Sequence, residues 1–266
     1  MKVQLLVFLL LFPLFTVSAE ISDIHIFEKG LIKAIGISEK GQSRFQALTA
    51  AKIIAEKNLI EKIKGVSITS KTVMKNSMIT EDSIISQVRG LIIGAVSCGE
   101  KYYQNDGYAE VCVQMPLHGR GGVYDIVYPV FQMYIPNAPL FTSTSNEGNF
   151  IPQKHDGLIL DVTMFTSFQP AIINRILDIS GRVIYKPSMV SHKLLMETGS
   201  AQFATTKRKA KAILDNIGSK NPLIIKSNNI QDRTDVIISN TDAEIIYLEN
   251  MKSNMLQRAR VVYLLR

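Results

Sequence analysis

The sequence predicts an α+β protein of two small domains, each a mixed sheet packed with helices, joined by a connector that contains Gly and Pro. Three observations lead there. Residues 41–65 (GQSRFQALTAAKIIAEKNLIEKIKG) carry apolar residues at helical spacing for about six turns. Two alternating runs, LIIGAVSCGEKYY and GYAEVCVQMPL, flank Asn105-Asp106-Gly107. That is a hairpin signal, because Asn, Asp and Gly tolerate the positive φ of tight turns. The cluster His118-Gly119-Arg120-Gly121-Gly122, followed by Pro129, Pro136, Pro139 and Pro152, then separates this half from a second one that restarts at LILDVTMF.

The elements follow in order. Residues 1–19 have the form of an export leader: Lys2, an apolar run from Leu5 to Phe15, then Val17-Ser18-Ala19, with cleavage expected before Glu20. The alternative, a membrane anchor, is disfavoured because Pro13 interrupts a run shorter than the roughly 20 residues needed to span. No later segment is long and apolar enough to cross a bilayer, so the mature chain is expected to be periplasmic or secreted. Residues 20–119 form the expected N-terminal domain. Within it, residues 23–39 read as one or two strands and 41–64 as a helix, with Gly65 past its end. GVSITSKTVM reads as a strand and residues 80–88 as a short helix. Residues 120–152 are the connector, hinge-like at its start, with a short apolar element at 124–134 and an irregular loop at 136–150.

Residues 153–266 form the second domain. LILDVTMF is a strand, and AIINRILDISGRVIYKP is a hairpin about Asp178–Gly181. Residues 203–217 form a basic helix, and NPLIIKS and DVIISN are strands. Thr241-Asp242-Ala243-Glu244 reads as a capping box with Thr as N-cap, opening a helix to about Gln257. RVVYLL is the closing strand.

The helix at 41–64 has an unusual apolar face. Ala47, Ala51 and Ala55 recur every four residues, continued by Leu59 and Ile63. Alanine lets a helix axis approach a sheet closely and loses no side-chain entropy. A membrane-surface helix would present large Leu, Phe or Trp residues instead, so packing on the protein's own sheet is expected.

In order and spacing, several pieces resemble the LPP-twenty lipoprotein family and the similar N-terminal domain of flagellar assembly protein T. They are the row Ala47, Ala51, Ala55, Leu59, Ile63 and Gly65; then Val66, Thr69 and Thr72; then Val88, Gly90, Ile92, Gly94 and Ala95; then Asp106, Gly107, Glu110, Val111, Val113, Pro116, Leu117 and Gly119. The resemblance covers about residues 40–120. It implies an exported bacterial protein associated with the outer membrane or the flagellar basal body, and it implies no catalytic residues. A family lipoprotein needs Cys at the mature N-terminus, where Glu20 stands here, so lipid anchoring is not carried over. The second half (DGLILDVT, NPLIIK, DVIISNTDA) is similar to a C-terminal extension of long uncharacterised bacterial members.

The chain's formal charge is +7, or +6 once Lys2 leaves with the leader. Such a mild excess fits anionic surfaces. No long Lys/Arg run or aromatic-basic motif points to nucleic acid. Gly90 and Gly94 lack the Gly-Lys-Ser/Thr of a phosphate loop and suit a strand bulge or a close backbone approach. His25, His118, His155 and His192 lack the i, i+4 pairing of a zinc helix. His155-Asp156 could act as an acid/base pair, although an exposed His before a Gly turn is the commoner explanation. Asp156 and Asp161 are expected on opposite faces. No catalytic residue, cofactor or metal ligand is assigned.

Cys98 and Cys112 stand seven residues from Asn105 on either side. They are expected either to form a bridge, if export gives an oxidising compartment, or to be two separate buried thiols. Lys207, Arg208, Lys209 and Lys211 are the densest basic cluster, either a solvated helix face or a contact for an acidic partner. The function expected is non-enzymatic: a structural or assembly factor that binds other envelope or flagellar basal-body proteins, or further copies of itself. The alternative is a cell-wall- or carbohydrate-binding module, or a hydrolase with an unrecognised site.

Overall fold

A computed structural model of the chain describes residues 23–69, 71–74, 90, 92, 95–134, 137–143 and 154–266. The expected leader and the short helix at 80–88 lie outside the described residues. The protein is α+β, and no described helix is long and apolar enough to cross a membrane. The first half contains α1 (Asp23–Lys29), β1 (Leu31–Ile37), α2 (Arg44–Lys64), the short β2 (Ser67–Thr69) and β3 (Thr72–Val73), then β4 (Val96–Tyr103) and β5 (Tyr108–Pro116). β1, β5 and β4 form an antiparallel sheet in that order.

α2 lies across β1 and β5, and its alanine row is the contact. Ala47, Ala51, Ala55, Leu59 and Ile63 are all fully buried. Facing them on β1 are Ile32, Ala34 and Gly36. A Cβ at Gly36 would lie 2.1 Å from the Ala51 carbonyl oxygen and 2.2 Å from the Ala55 nitrogen. At this crossing helix backbone rests directly on strand backbone, which leaves no room for a larger side chain at Gly36, Ala51 or Ala55. The hairpin tip fixes the helix entrance: the amides of Gly41 and Gln42 donate to the carbonyls of Asp106 and Gly107 at 3.0 and 2.8 Å. Gly107 takes the positive φ of +65° that the turn requires.

The second half follows α3 (Val123–Tyr134). It holds β6 (Gly157–Asp161), β7 (Ile176–Asp178), β8 (Val183–Tyr185), α4 (His192–Thr198), β9 (Gln202–Ala204), α5 (Lys207–Asn216), β10 (Pro222–Lys226), β11 (Asn229–Gln231), β12 (Asp235–Ile238), α6 (Asn240–Ser253) and β13 (Val261–Leu264). One sheet, ordered β10-β6-β13-β9, is wholly parallel; the other, β11-β12-β7-β8, is mixed. The two central parallel strands, β6 and β13, are buried on both faces, which is why LIL and VVYL are continuous apolar runs rather than alternating ones. On one face, Ala210 and Leu214 of α5 cover Ile159, Val262 and Leu264. The other face joins the main core.

That main core is shared by both halves. An aromatic row crosses it: Phe168 on Tyr263, Tyr263 on Phe203 and Phe203 on Phe27 of α1, with ring centroids 5.3–5.6 Å apart. The amides of Ile172 and Ile173 donate to the carbonyls of Ser67 and Ile68 at 2.9 and 2.8 Å. The described part of the connector is packed, not a free hinge. Val123, Tyr124, Ile126 and Val127 are buried, the Gly119 amide donates to the Met196 carbonyl, and Pro139 and Phe141 hydrogen-bond on both sides of Val183. His118 lies in this joint against Tyr124 and Gly199, and desolvation lowers its pKa to about 4.

Several elements differ from the sequence expectation. Residues 23–29, read as strand, are helical, because Phe27 and Glu28 dock on Phe203, Thr205 and Lys209. Gly90 and Ile92 are helical rather than strand-like, a Cβ at Gly90 would meet nothing, and the strand begins at Val96; Gly94 lies outside the described residues. The basic helix starts at Lys207, since residues 202–204 form β9. α6 is capped by Ser239, whose hydroxyl accepts from the Asp242 amide at 3.0 Å, not by Thr241. It ends at Ser253, where Asn254 turns left-handed, not near Gln257.

Two outcomes are expected. Ala51→Leu overpacks the α2–β1 contact and lowers unfolding free energy by about 1–3 kcal/mol, while exposed Lys52→Ala stays within about 0.5 kcal/mol; denaturant melts compare them. Because His118 is held neutral, the unfolded chain takes up a proton first as pH falls from about 6.5 towards 4. Stability is therefore full above pH 6.5 and declines across that window by up to about 3 kcal/mol. His118→Gln should remove this part of the pH dependence in melts recorded between pH 4 and 7.

Candidate partner-binding surface

The N-terminal sheet has one covered and one open face. Strand alternation sends Ala109, Val111, Val113 and Met115 of β5 inward to α2. The outward rows are Ile37–Glu110–Lys101, Ile35–Cys112–Gly99 and Lys33–Gln114–Val96. Ile35, Ile37 and Val96 remain 58, 53 and 61% exposed.

Cys98 and Cys112 are joined by a disulfide on this outward side, with Cα atoms 5.0 Å apart. The pairing near the turn, Tyr103 with Tyr108, would by itself set Cys98 opposite Val113, on the inward face. A bulge between Ser97 and Gly99 inserts one residue, so that Ser97 faces Val113 and Gly99 faces Cys112. Cys98 is that extra residue and reaches its partner. Gly99, at φ +151°, supplies the backbone freedom.

The two edges of the sheet differ. On β1, the Asn58 amide of α2 donates to the Ile35 carbonyl at 2.8 Å, and the Lys62 ammonium donates to the Lys33 carbonyl at 2.5 Å. α2 thereby occupies acceptors that an added strand would need. β4 is the other edge, and among the described residues no element pairs with its far side. α2 sits mainly over β1 and β5, so a cleft of about 340 Å³ remains between it and β4. Leu48, Val111 and Val113 line it apolarly, Ser97 and Glu100 border it, and Phe45, 81% exposed, stands at its mouth.

The basic cluster is divided. Lys209 bonds to Glu28 at 2.8 Å, and this contact with Lys209, then Thr205, holds the Glu28 carboxyl below the usual carboxylate range. Lys209 thus fastens α5 to α1, whereas Lys207, Arg208 and Lys211 are exposed. His155 is not an exposed turn residue. It is half-buried, with Nδ1 3.4 Å from Glu249, and Gly157 opens β6. Asp156 accepts from Ser219 Oγ and from the amides of Lys220 and Asn221, so it anchors a loop. Asp161 accepts from Thr163 at the far end of the strand. Among the described residues no group of three or more His, Cys, Asp or Glu could hold a metal ion. Asn58 and Lys62 were missed in the sequence because polar residues on a helix read as solvent-facing. The cleft had one signal, Phe45 on the polar side of the alanine row.

Alkylation of the unreduced chain followed by mass spectrometry is expected to find no free thiol. Replacing both cysteines by Ser is expected to cost about 2–4 kcal/mol, the usual effect of opening a loop of this order.

Comparison with known proteins finds no match among curated proteins. Residues 157–266, from the start of β6 onward, match a family model described as Treponema pallidum Tp0624, second domain.

Proposed function

We propose that this chain is an exported, non-enzymatic envelope protein that binds another envelope or flagellar basal-body protein by accepting an extended strand along β4. The observation that supports it most is the asymmetry of the two edges. β1 has carbonyls occupied by Asn58 and Lys62, while β4 is an outer strand beside an apolar cleft. Strand addition draws affinity from main-chain hydrogen bonds and specificity from pockets that take alternate side chains. The cleft at Phe45 and Leu48 is such a pocket. The envelope and basal-body context comes from the resemblance of residues 40–120 to the LPP-twenty family. The basic helix is the weaker candidate, because Lys209 already serves an internal ion pair.

Site-directed photo-crosslinking in cells tests this reading. A crosslinker at Glu100 should give a discrete adduct that Phe45→Asp abolishes, and one at Lys211 should give none. Adducts from Lys211 alone would move the surface to α5. Hydrolysis of glycan, peptide or ester bonds by the purified chain, lost on one point substitution, would overturn the non-enzymatic reading.

A further inference from the structure

The Cys98–Cys112 bridge fixes more than the distance between two strands. Cys98 is the extra residue of the bulge in β4, and both cysteines lie on the open face of the N-terminal sheet, partly exposed. On the turn side of the bulge, Gly99 to Tyr103 pair regularly with Cys112 back to Tyr108. On its other side, Ser97 stands opposite Val113 and Val96 opposite Gln114. This register leaves Val96 61% exposed on the outward face, while Ala95 and Ser97 line the cleft beside α2.

Removing the bulge would shift residues 95–98 by one position along β5. Cys98 would then stand opposite Val113, Ser97 opposite Gln114 and Val96 opposite Met115. Because side chains alternate along a strand, such a slip exchanges the two faces. Val113 and Met115 point inward. Val96 and Cys98 would therefore take the inward positions now held by Ala95 and Ser97, and Ser97 would turn to solvent. The slipped register places apolar residues inside and the hydroxyl outside, and it fills the cleft. The bridge forbids it. Cys112 is on the outward face, and the Cβ of an inward Cys98 would point away from it, a geometry that no disulfide spans.

We propose that this disulfide is a redox switch of the β4 edge. Oxidised, it holds the bulge and keeps the cleft open; reduced, it lets residues 95–98 slip, and Val96 closes the cleft. The reductant is a dithiol. One of its thiolates attacks a bridge sulfur to give a mixed disulfide, and its second thiol then displaces the cysteine. Two electrons and two protons pass to Cys98 and Cys112 as the dithiol becomes a disulfide. The consequence for partner binding rests on the strand-accepting reading of β4; the slip itself does not.

Nuclear magnetic resonance of the full chain, oxidised and after dithiothreitol, tests the slip. Cross-strand contacts of Ser97 with Val113 should give way to contacts of Cys98 with Val113 and of Val96 with Met115. Ile35 should stay opposite Cys112 in both states. Persistence of the Ser97–Val113 contact after reduction would overturn the switch. Loss of the Ile35–Cys112 pairing would make the bridge a plain structural tie and overturn it too. In cells, Cys98→Ala with Cys112→Ala should lose the adduct from a crosslinker at Glu100. Adding Val96→Asp, which cannot enter the cleft without burying a charge, should restore both the bulged register and the adduct. A merely destabilised sheet would not be rescued in this way. An undiminished adduct from the alanine pair would overturn the gating. No adduct even from the oxidised chain, with the slip seen by resonance, would overturn the strand-accepting reading and leave the register switch standing.

Discussion

The contact between α2 and β1 is the constraint from which the N-terminal architecture follows. At Gly36 the helix backbone approaches the strand so closely that a single Cβ would overlap it. That distance explains the alanine row, since larger residues at 51 and 55 would force the helix off the sheet. It also sets α2 near the β1 edge, where Asn58 and Lys62 reach the strand's carbonyls. A helix held that close to one edge leaves the other edge uncovered. The cleft beside β4 is the space α2 does not fill.

The two halves are not independent beads. α1 belongs to the first half by sequence but lies against β9 of the second, and the aromatic row from Phe168 to Phe27 passes through both. Residues 172–173 hydrogen-bond to 67–68, and the glycine cluster after β5 packs near His118, Tyr124 and Gly199. This joint gives the sheet a fixed base. A rigid edge loses less conformational freedom on binding than a flexible one, which favours strand addition.

Much of the fold was legible where a local cause determines it. The alanine row, the turn at Asn105-Asp106-Gly107 and the β7–β8 hairpin each rest on neighbouring residues. What escaped depended on distant contacts. DIHIFEK has the alternation of a strand, but its helix is set by Phe203, Thr205 and Lys209, more than 170 positions away. At α6 the sequence pattern points to a cap at Thr241 with Glu244, whereas the structure caps the helix two residues earlier, with Ser239 and Asp242. The cysteine spacing suggested proximity, but counting from the turn cannot reveal the bulge that brings Cys98 to the face of Cys112. Of the surface, the basic cluster was visible, while its division by Glu28 was not. The β4 cleft arises from where α2 stops covering the sheet, a matter of placement rather than of motif.

The central claim is that tight packing of α2 on β1 leaves β4 as the open edge. Residue-resolved amide hydrogen exchange on the purified chain tests it most directly, because exchange reports which backbone groups open to solvent. Amides of β5 and those of β1 that pair with it should exchange slowly, while alternate amides of β4, those directed away from β5, should exchange orders of magnitude faster. Uniformly slow exchange along β4, matching β5, would mean that its far side is already occupied, and would contradict the account.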